Sequence, residues 1–140
     1  MDVGGIMQRY RELLRSDEGC RLFPYRDSRG VWSVGWGRNL QVRPISQALA
    51  DILLDYDMLQ SLVEAAAWLD SFERLSLPRQ MAASSMCYQL GERGAREFVR
   101  VSAAVGNGRF DQAASAMEAS RWAKQTPGRV ARLAEMMRKG

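Results

Sequence analysis

The stretch from Leu13 to Leu40 reads LLRSDEGCRLFPYRDSRGVWSVGWGRNL and carries the strongest structural signals in the chain. It begins inside an amphipathic helix, whose apolar face is predicted to comprise Ile6, Met7, Tyr10, Leu13 and Leu14. Because Gly19 follows Glu18, we expect this helix to end at Glu18. The negative end of the helix dipole then opposes the charged form of that carboxyl group.

The second half of the stretch is typical of a β-hairpin. A D-S-R-G turn at residues 27–30 separates two segments rich in β-forming residues. Alternation along the second strand predicts a large apolar face (Trp32, Val34, Trp36) and a small polar face open to a ligand (Val31, Ser33, Gly35). Gly35 and Gly37 weaken a strand, and they predict a bend or a close approach by another group.

Beyond Pro44 the apolar pattern is helical, with Ser46 as the expected N-cap. One long helix fits the positions that follow, and so do two helices with a break near Asp70. Later boundaries are predicted at Gly91 (a helix end before a turn at 92–94), Asp111 (an N-cap) and Thr126-Pro127 (a helix start). The methionines interpreted as core residues are Met58, Met81, Met86, Met117 and Met136.

These elements predict an α+β protein that is predominantly helical. A length of 140 residues fits a single domain, here residues 1–140. Within it we expect a small β lobe at about 20–45, and a helical lobe built from about 1–19 and 46–140.

The chain contains no histidine. This excludes Ser-His-Asp and Cys-His nucleophilic catalysis, which need an imidazole base, and it removes the commonest zinc ligand. Cys20 and Cys87 have no metal-ligand spacing, and reduced thiols are favoured over a disulfide between them. We therefore expect no metal and no cofactor, and carboxylates are the leading candidates for acid–base chemistry.

The charge is +4, from 20 basic and 16 acidic residues, and all the cations except Lys124 and Lys139 are arginines. Arginine suits contact with carboxylates and phosphates, so nucleic acid, an anionic membrane surface and an acidic glycan polymer are all admissible partners. No apolar run is long enough for a membrane span, and the N-terminus does not resemble a signal peptide. The chain is therefore expected to be cytoplasmic at synthesis.

Three side chains in the opening stretch suit glycosidic bond cleavage: Glu18, Asp27 and Ser33. This reaction needs one carboxyl group to protonate the leaving oxygen and a second carboxylate to stabilise positive charge or activate water. The two acids must lie in different environments, as a helix end and a hairpin turn provide. Taken alone the pattern is weak, because Asp27 is a common turn residue and Glu18 also fits a solvated helix end.

With these residues in place, the sequence resembles the phage-type lysozymes of glycoside hydrolase family 24. The family pattern is D-E-G, then Y-x-D, then a T-x-G-x-G-H strand, and here it reads D-E-G at 17–19, Y-R-D at 25–27 and S-V-G-W-G-R at 33–38. The spacing of the family's catalytic Glu, Asp and Thr, with eight and then five residues between them, is kept by Glu18, Asp27 and Ser33. The resemblance resumes at residues 88–94 with Phe98, and again at 120–129.

The resemblance implies hydrolysis of the β-1,4 bond between N-acetylmuramic acid and N-acetylglucosamine in peptidoglycan. Glu18 is then the general acid, while Asp27 and Ser33 position the attacking water. Candidate substrate-binding residues are Asn39, Tyr88, Gln89, Gly91 and Phe98, and candidate supporting residues are Arg38, Trp122 and Arg129. Packing behind the acid is the favoured interpretation for Gln89 and Trp122. Trp32 and Trp36 suit stacking on sugar rings and suit a hydrophobic core equally well.

The sequence departs from the family pattern in three places. Ser33 replaces the usual threonine, Arg38 replaces the usual histidine, and only Q-V-R-P-I at 41–45 separates Leu40 from Ser46. A shortened β lobe follows from the third departure. An arginine facing Glu18 would oppose the general-acid role, because its charge favours the ionised carboxylate.

The implied biological role is lysis of a host bacterium at the end of a phage or prophage cycle. A monomer made in the host cytoplasm would reach the periplasmic cell wall through a separate membrane pore protein, without stable membrane insertion and without nucleic acid as a partner. The alternative is a catalytically impaired, lysozyme-like peptidoglycan-binding protein, motivated by the three departures. A nucleic-acid-binding or regulatory helical protein ranks last. Hydrolysis against transglycosylation, retention against inversion, and free enzyme against part of a particle stay open.

Overall fold

The structure, a computed structural model, describes residues 2–140. This part of the chain contains seven α-helices, one 3-10 turn and three strands. In chain order they are α1 (Val3–Glu18), β1 (Arg21–Arg26), β2 (Trp32–Gly35), β3 (Arg38–Asn39), α2 (Gln47–Trp68), the 3-10 turn (Phe72–Arg74), α3 (Leu77–Arg96), α4 (Val99–Gly106), α5 (Phe110–Glu118), α6 (Arg121–Gln125) and α7 (Pro127–Lys139). The predominantly helical α+β class predicted from the sequence is confirmed.

The chain divides into two compact units, the first ending at Asp51 and the second beginning at Ile52. The first unit holds α1, the sheet and the beginning of α2. The second holds the remainder of α2 and all later helices. The single domain over residues 1–140, with its two lobes, stays a prediction.

The sheet of the first unit is antiparallel, in the order β1-β2-β3. Across it Ser33 pairs with Tyr25 on one side and with Asn39 on the other. The predicted hairpin is confirmed as β1 and β2, whereas β3 was missed because two residues cannot show an alternating pattern. Gly35 and Gly37 have φ of 65° and 69°, which non-glycine residues rarely adopt, so they allow the sharp reversal between β2 and β3.

Exposure on β2 contradicts the prediction at Ser33, whose face was expected to be open to a ligand, and it decides between the two interpretations of the tryptophans. Ser33 is only 2% exposed, whereas Trp32 and Trp36 are 48% and 45% exposed. A small side chain in the central strand is easily covered, while an indole ring is too large to be enclosed by a three-stranded sheet. Each ring is instead partly covered by a guanidinium group: Arg26 lies 4.6 Å from the ring centroid of Trp32, and Arg15 lies 5.3 Å from that of Trp36. Neither tryptophan is a core residue.

The apolar faces of the first two helices are also exposed. α1 has no buried residue, and α2 buries only Ser61, Ala65 and Trp68. The periodicity of the apolar residues therefore predicted a helix correctly, but it does not say whether the apolar face of that helix is covered. α1 begins at Val3, where the Asp2 carboxylate accepts a hydrogen bond from the Gly5 amide at 3.0 Å and caps the helix.

The second unit carries the hydrophobic core, which gathers side chains from α2 through α7. Met86 and Met117 are fully buried there, and Met136 packs against the core, as predicted. The prediction was wrong for Met58 and Met81, which are about half exposed. Among residues 2–140, no helix is long and apolar enough to span a membrane.

Two predictions about boundaries in the second unit need correction. Gly91 has φ 70° and ψ 165°, which are not helical, so the regular helix is interrupted there as predicted, but a second helical segment that ends at Arg96 follows in place of the predicted turn at 92–94. The Arg96 guanidinium binds Glu92 at 2.7 Å and the Ala67 carbonyl at 2.9 Å, which stabilises the helical segment that follows Gly91. Asp111 is not an N-cap; it lies in the first turn of α5, where its charge complements the helix dipole.

The other boundaries agree with the sequence. The Ser46 hydroxyl accepts a hydrogen bond from the Leu49 amide at 3.3 Å, and α2 continues unbroken to Trp68. Pro127 opens α7, directly after Thr126.

Candidate functional site

Glu18 is the last residue of α1, and Gly19 follows it with φ 64°. Its exposed carboxyl group lies directly against the α-carbon of Gly37, in the turn between β2 and β3. Within residues 2–51 no hydrogen bond and no ion pair reaches this carboxyl group. The close approach predicted from the glycines of this segment is therefore made by Glu18, at Gly37.

Asp27 is the first residue of the tight turn between β1 and β2. Its Oδ1 accepts hydrogen bonds from the backbone amides of Arg29 and Val31, both at 2.9 Å. The hydrogen bond from the Val31 amide is the main cause that holds the pKa of Asp27 below its ordinary value. The Arg29 amide and the Arg29 guanidinium, which lies 3.9 Å from Oδ2, also lower this pKa, whereas desolvation raises it. Asp27 therefore stays ionised, and its second oxygen is free of these backbone donors.

Ser33 and Asn39 face each other across β2 and β3. The side-chain carbonyl of Asn39 accepts hydrogen bonds from the amides of Gln41 and Val42, both at 3.0 Å, so it shapes the turn that follows β3. Only its amide group is left for a ligand. Glu18, Asp27 and Ser33 thus belong to one unit: Asp27 begins the turn before β2, Ser33 lies on β2, and Glu18 contacts the turn after it.

Arg38 supports the short connection after β3. Its guanidinium donates a hydrogen bond to the Pro44 carbonyl at 2.7 Å. Its buried Nε has no hydrogen-bond partner among the described residues. Within residues 2–51 it forms no ion pair with Glu18, so the unfavourable arrangement considered from the sequence is not found there.

Gln89 and Trp122 are joined in the second unit. The buried Trp122 indole N–H donates to the Gln89 side-chain carbonyl at 2.9 Å. Phe98 packs edge-on against Trp122, with ring centroids 5.9 Å apart and planes at 85°. Gln89 and Trp122 therefore pack together within the second unit, and their predicted place behind the acid stays a prediction.

The other candidates of the second unit lie in separate places. Tyr88 and Gly91 line a pocket of about 370 Å³ that also contains Asp57, Glu64 and Cys87. Phe98 and Trp122 line a different pocket, of about 620 Å³. Arg129 is exposed on α7. The candidate substrate-binding residues of this unit therefore do not form one cluster.

A family model described as phage lysozyme matches residues 15–139. The chain belongs to the phage lysozyme family. The matched range contains every candidate site residue given above. Membership supports a peptidoglycan-hydrolysing, glycoside hydrolase activity in general, as the resemblance implied.

The chain is also similar to a spike protein of a phage. The pre-baseplate central spike protein Gp5 of Enterobacteria phage T4 is 26% identical over 150 residues, which is 87% of this chain and 26% of that protein. The chain therefore spans about a quarter of the length of that protein.

The two cysteines of the chain are both free. Cys87 is buried, and burial is the main cause that raises the pKa of its thiol to about 12, with Glu64 acting in the same direction. A thiol with such a pKa stays protonated near neutral pH and is not a nucleophile. Cys20 is exposed. Among residues 2–140, no three potential metal-ligating side chains come together.

Arg15, which lies over Trp36, is not among the residues predicted from the sequence. The signal was present, because Arg15 and Glu18 are three residues apart and therefore share one face of α1. The sequence predicts the turn at Asp27 but not the two backbone amides that donate to its carboxylate, because side-chain motifs do not give the positions of amide groups.

Replacing Gln89 with Ala should lower stability by about 1–3 kcal/mol, because it leaves the buried indole N–H of Trp122 without a partner. The Gln89→Glu variant keeps an acceptor oxygen and should lose less. Urea unfolding midpoints measure both, alongside kinetics on soluble peptidoglycan fragments. A raised KM with an unchanged midpoint would instead identify Gln89 as a substrate contact.

Proposed function

We propose that this chain is a muramidase, which hydrolyses the β-1,4 bond between N-acetylmuramic acid and N-acetylglucosamine. Glu18 protonates the leaving glycosidic oxygen as the general acid. Asp27 stabilises positive charge at the anomeric carbon or orients the attacking water, which the Ser33 hydroxyl helps to hold. No metal and no cofactor takes part in this reaction scheme.

The contrast between Glu18 and Asp27 is the observation that supports this proposal best. Asp27 receives two backbone N–H donors, which favour its charged form, whereas none of the hydrogen bonds within residues 2–51 reaches Glu18. Glycoside hydrolysis needs one acid that gives a proton and one carboxylate that stays ionised, and the backbone donors suit Asp27 to the second role. The family match gives this pair of carboxylates its context.

Two departures from the family pattern remain compatible with activity. Serine keeps the hydroxyl donor and acceptor of threonine and loses only the methyl group that restricts its rotamer. Arg38 is engaged by the Pro44 carbonyl within its own unit. We propose that Asn39, through its free amide group, and Tyr88 contact the glycan, and that Arg129 is a supporting residue.

Release of reducing ends from purified peptidoglycan tests the activity. The proposed function predicts reducing ends that accumulate with time and with enzyme concentration. The alternative, a catalytically impaired wall-binding protein, predicts that the chain sediments with insoluble walls while no reducing ends appear. That second outcome would overturn the muramidase proposal.

For the biological role we propose host-cell lysis by a monomer that is made in the cytoplasm and reaches the wall through a separate membrane pore protein. Co-expression of the chain with and without a pore-forming protein checks this. Lysis that depends on the pore is expected, and rapid lysis in its absence would contradict it.

A second role is favoured by the match to a phage central spike protein. In that case the same activity is carried on a virion and acts locally at entry. Sedimentation of phage particles from a lysate separates the two roles. A chain that stays in the supernatant supports the lysis role, and one that sediments with particles supports the virion role.

A further inference from the structure

Gly37 has no room for a side chain, because the space is taken by Glu18. A β-carbon built on Gly37 would overlap Oε2 of Glu18 and would lie 2.8 Å from its Cδ and 3.5 Å from its Cγ. The carboxyl group therefore rests on the bare α-carbon of the turn between β2 and β3. Since Oε2 and Cδ belong to the functional group itself, any side chain at this position would displace the carboxyl group.

Gly35 provides a comparison within the same turn. Its φ of 65° is close to the 69° of Gly37, so a non-glycine residue is strained at both positions. A β-carbon on Gly35, however, would meet nothing within 4 Å. The backbone conformation alone therefore accounts for a glycine at position 35. At position 37 a glycine is needed for a second reason, which is the space that the Glu18 carboxyl group occupies.

A second contact joins the same two segments. The Arg15 guanidinium lies 5.3 Å from the ring centroid of Trp36, which is the residue before Gly37. Arg15 and Glu18 are on one face of α1, so the last turn of the helix touches two consecutive residues of the turn. Together the two contacts fix where the end of α1 lies against the β2–β3 turn.

We propose that Gly37 is a positioning residue for Glu18, and that Arg15 on Trp36 holds the helix end in place for it. This inference rests on the proposed role of Glu18 as the general acid. With an alanine at 37, Cδ must move by at least about 0.6 Å to reach an ordinary 3.4 Å contact. Because a displacement of about 1 Å can cost on the order of 100-fold in rate, the turn controls the efficiency of the acid.

The test compares Gly37→Ala with Gly35→Ala, two substitutions at glycines with similar positive φ. Kinetics are measured on soluble peptidoglycan fragments, and melting temperatures are measured in parallel. We expect similar decreases in Tm for both variants, but a kcat about 30–100-fold lower for Gly37→Ala alone, with KM changed less than about twofold. Equal kcat losses in the two variants would overturn the proposal, because backbone strain would then explain both.

A shortened acid provides a rescue. The Glu18→Asp side chain is one methylene shorter and relieves the overlap with an alanine at 37. In the Glu18→Asp background, Gly37→Ala should therefore lower kcat by less than about threefold. If Gly37→Ala lowers kcat by the same factor in the Glu18→Asp background as in the parent, there is no steric coupling between positions 18 and 37.

Arg15→Ala keeps the inference testable if Gly37→Ala does not fold, because Arg15 is exposed on α1. We expect kcat to fall about 3–5-fold with KM unchanged, while Arg11→Ala on the same helix has no effect. Equal activity in the two arginine variants would contradict the positioning of the helix end. The Glu18→Gln variant distinguishes failure of the proposed function from failure of the positioning role. Full activity of Glu18→Gln would refute the proposed function. If Glu18→Gln is inactive while Gly37→Ala and Gly35→Ala lose the same kcat, only the positioning role of Gly37 is refuted.

Discussion

Replacing Glu18 with Gln should abolish the release of reducing ends from peptidoglycan, with a loss of about 1,000-fold or more. Gln matches Glu in shape but cannot donate the proton that the leaving oxygen needs. Because the carboxyl group lies on the bare α-carbon of Gly37 and has no hydrogen-bond partner within residues 2–51, the substitution removes no contact that holds the fold. The melting temperature should therefore stay within about 2 °C of the parent value.

Asp17→Asn is the matched control for this substitution. Asp17 is the neighbouring exposed carboxylate on α1, so the control changes the charge at the helix end by the same amount. We expect it to keep most of the activity. If the Glu18→Gln variant clears exposed cell walls as fast as the parent, Glu18 is not the general acid.

The second large effect is expected for Asp27→Asn, with a loss of activity of about 100–1,000-fold. The side-chain oxygen of Asn can still accept the hydrogen bonds from the Arg29 and Val31 amides, so the turn before β2 is kept while the negative charge is lost. Asp27→Ala removes both the charge and the acceptor, and should also lower the melting temperature. Comparing the two variants separates the charge from the turn. An Asn variant with parental activity would show that the charge has no catalytic role.

The pH dependence of stability checks the state of Asp27 independently. Its pKa is lowered in the folded chain, mainly by the Val31 amide. Its contribution to stability is therefore fully present above the unfolded pKa of about 3.9, and it is lost as the pH falls through the lower, folded value. Melting curves of the parent and Asp27→Asn between pH 2 and 7 should differ most at the neutral end and converge in acid. A constant difference over this range would contradict the lowered pKa.

Local rules predicted the elements around the site well. A glycine after Glu18 ended α1 as expected, and the D-S-R-G turn placed Asp27 between two strands. The glycines after Ser33 predicted a close approach, and Glu18 makes it at Gly37. These features depend on one residue or a few neighbours, which the sequence displays directly.

Features that depend on distant partners were predicted less well. The helical segment after Gly91 contains Arg96, which donates a hydrogen bond to the Ala67 carbonyl, 29 residues away in the chain. The acceptor for the Trp122 indole is Gln89, which is 33 residues away. The burial of Ser33 and the exposure of Trp32 depend on what covers each face of the sheet, and strand alternation distinguishes the faces without saying which one is covered.

We propose above that the chain hydrolyses the β-1,4 bond between N-acetylmuramic acid and N-acetylglucosamine, with Glu18 as the acid. Mass spectrometry of peptidoglycan digested by the parent chain tests this most directly. Products that end in reducing N-acetylmuramic acid, and that are absent after incubation with Glu18→Gln, are the predicted result. Anhydro-muramic acid ends, reducing N-acetylglucosamine ends, or identical products from both proteins would contradict it.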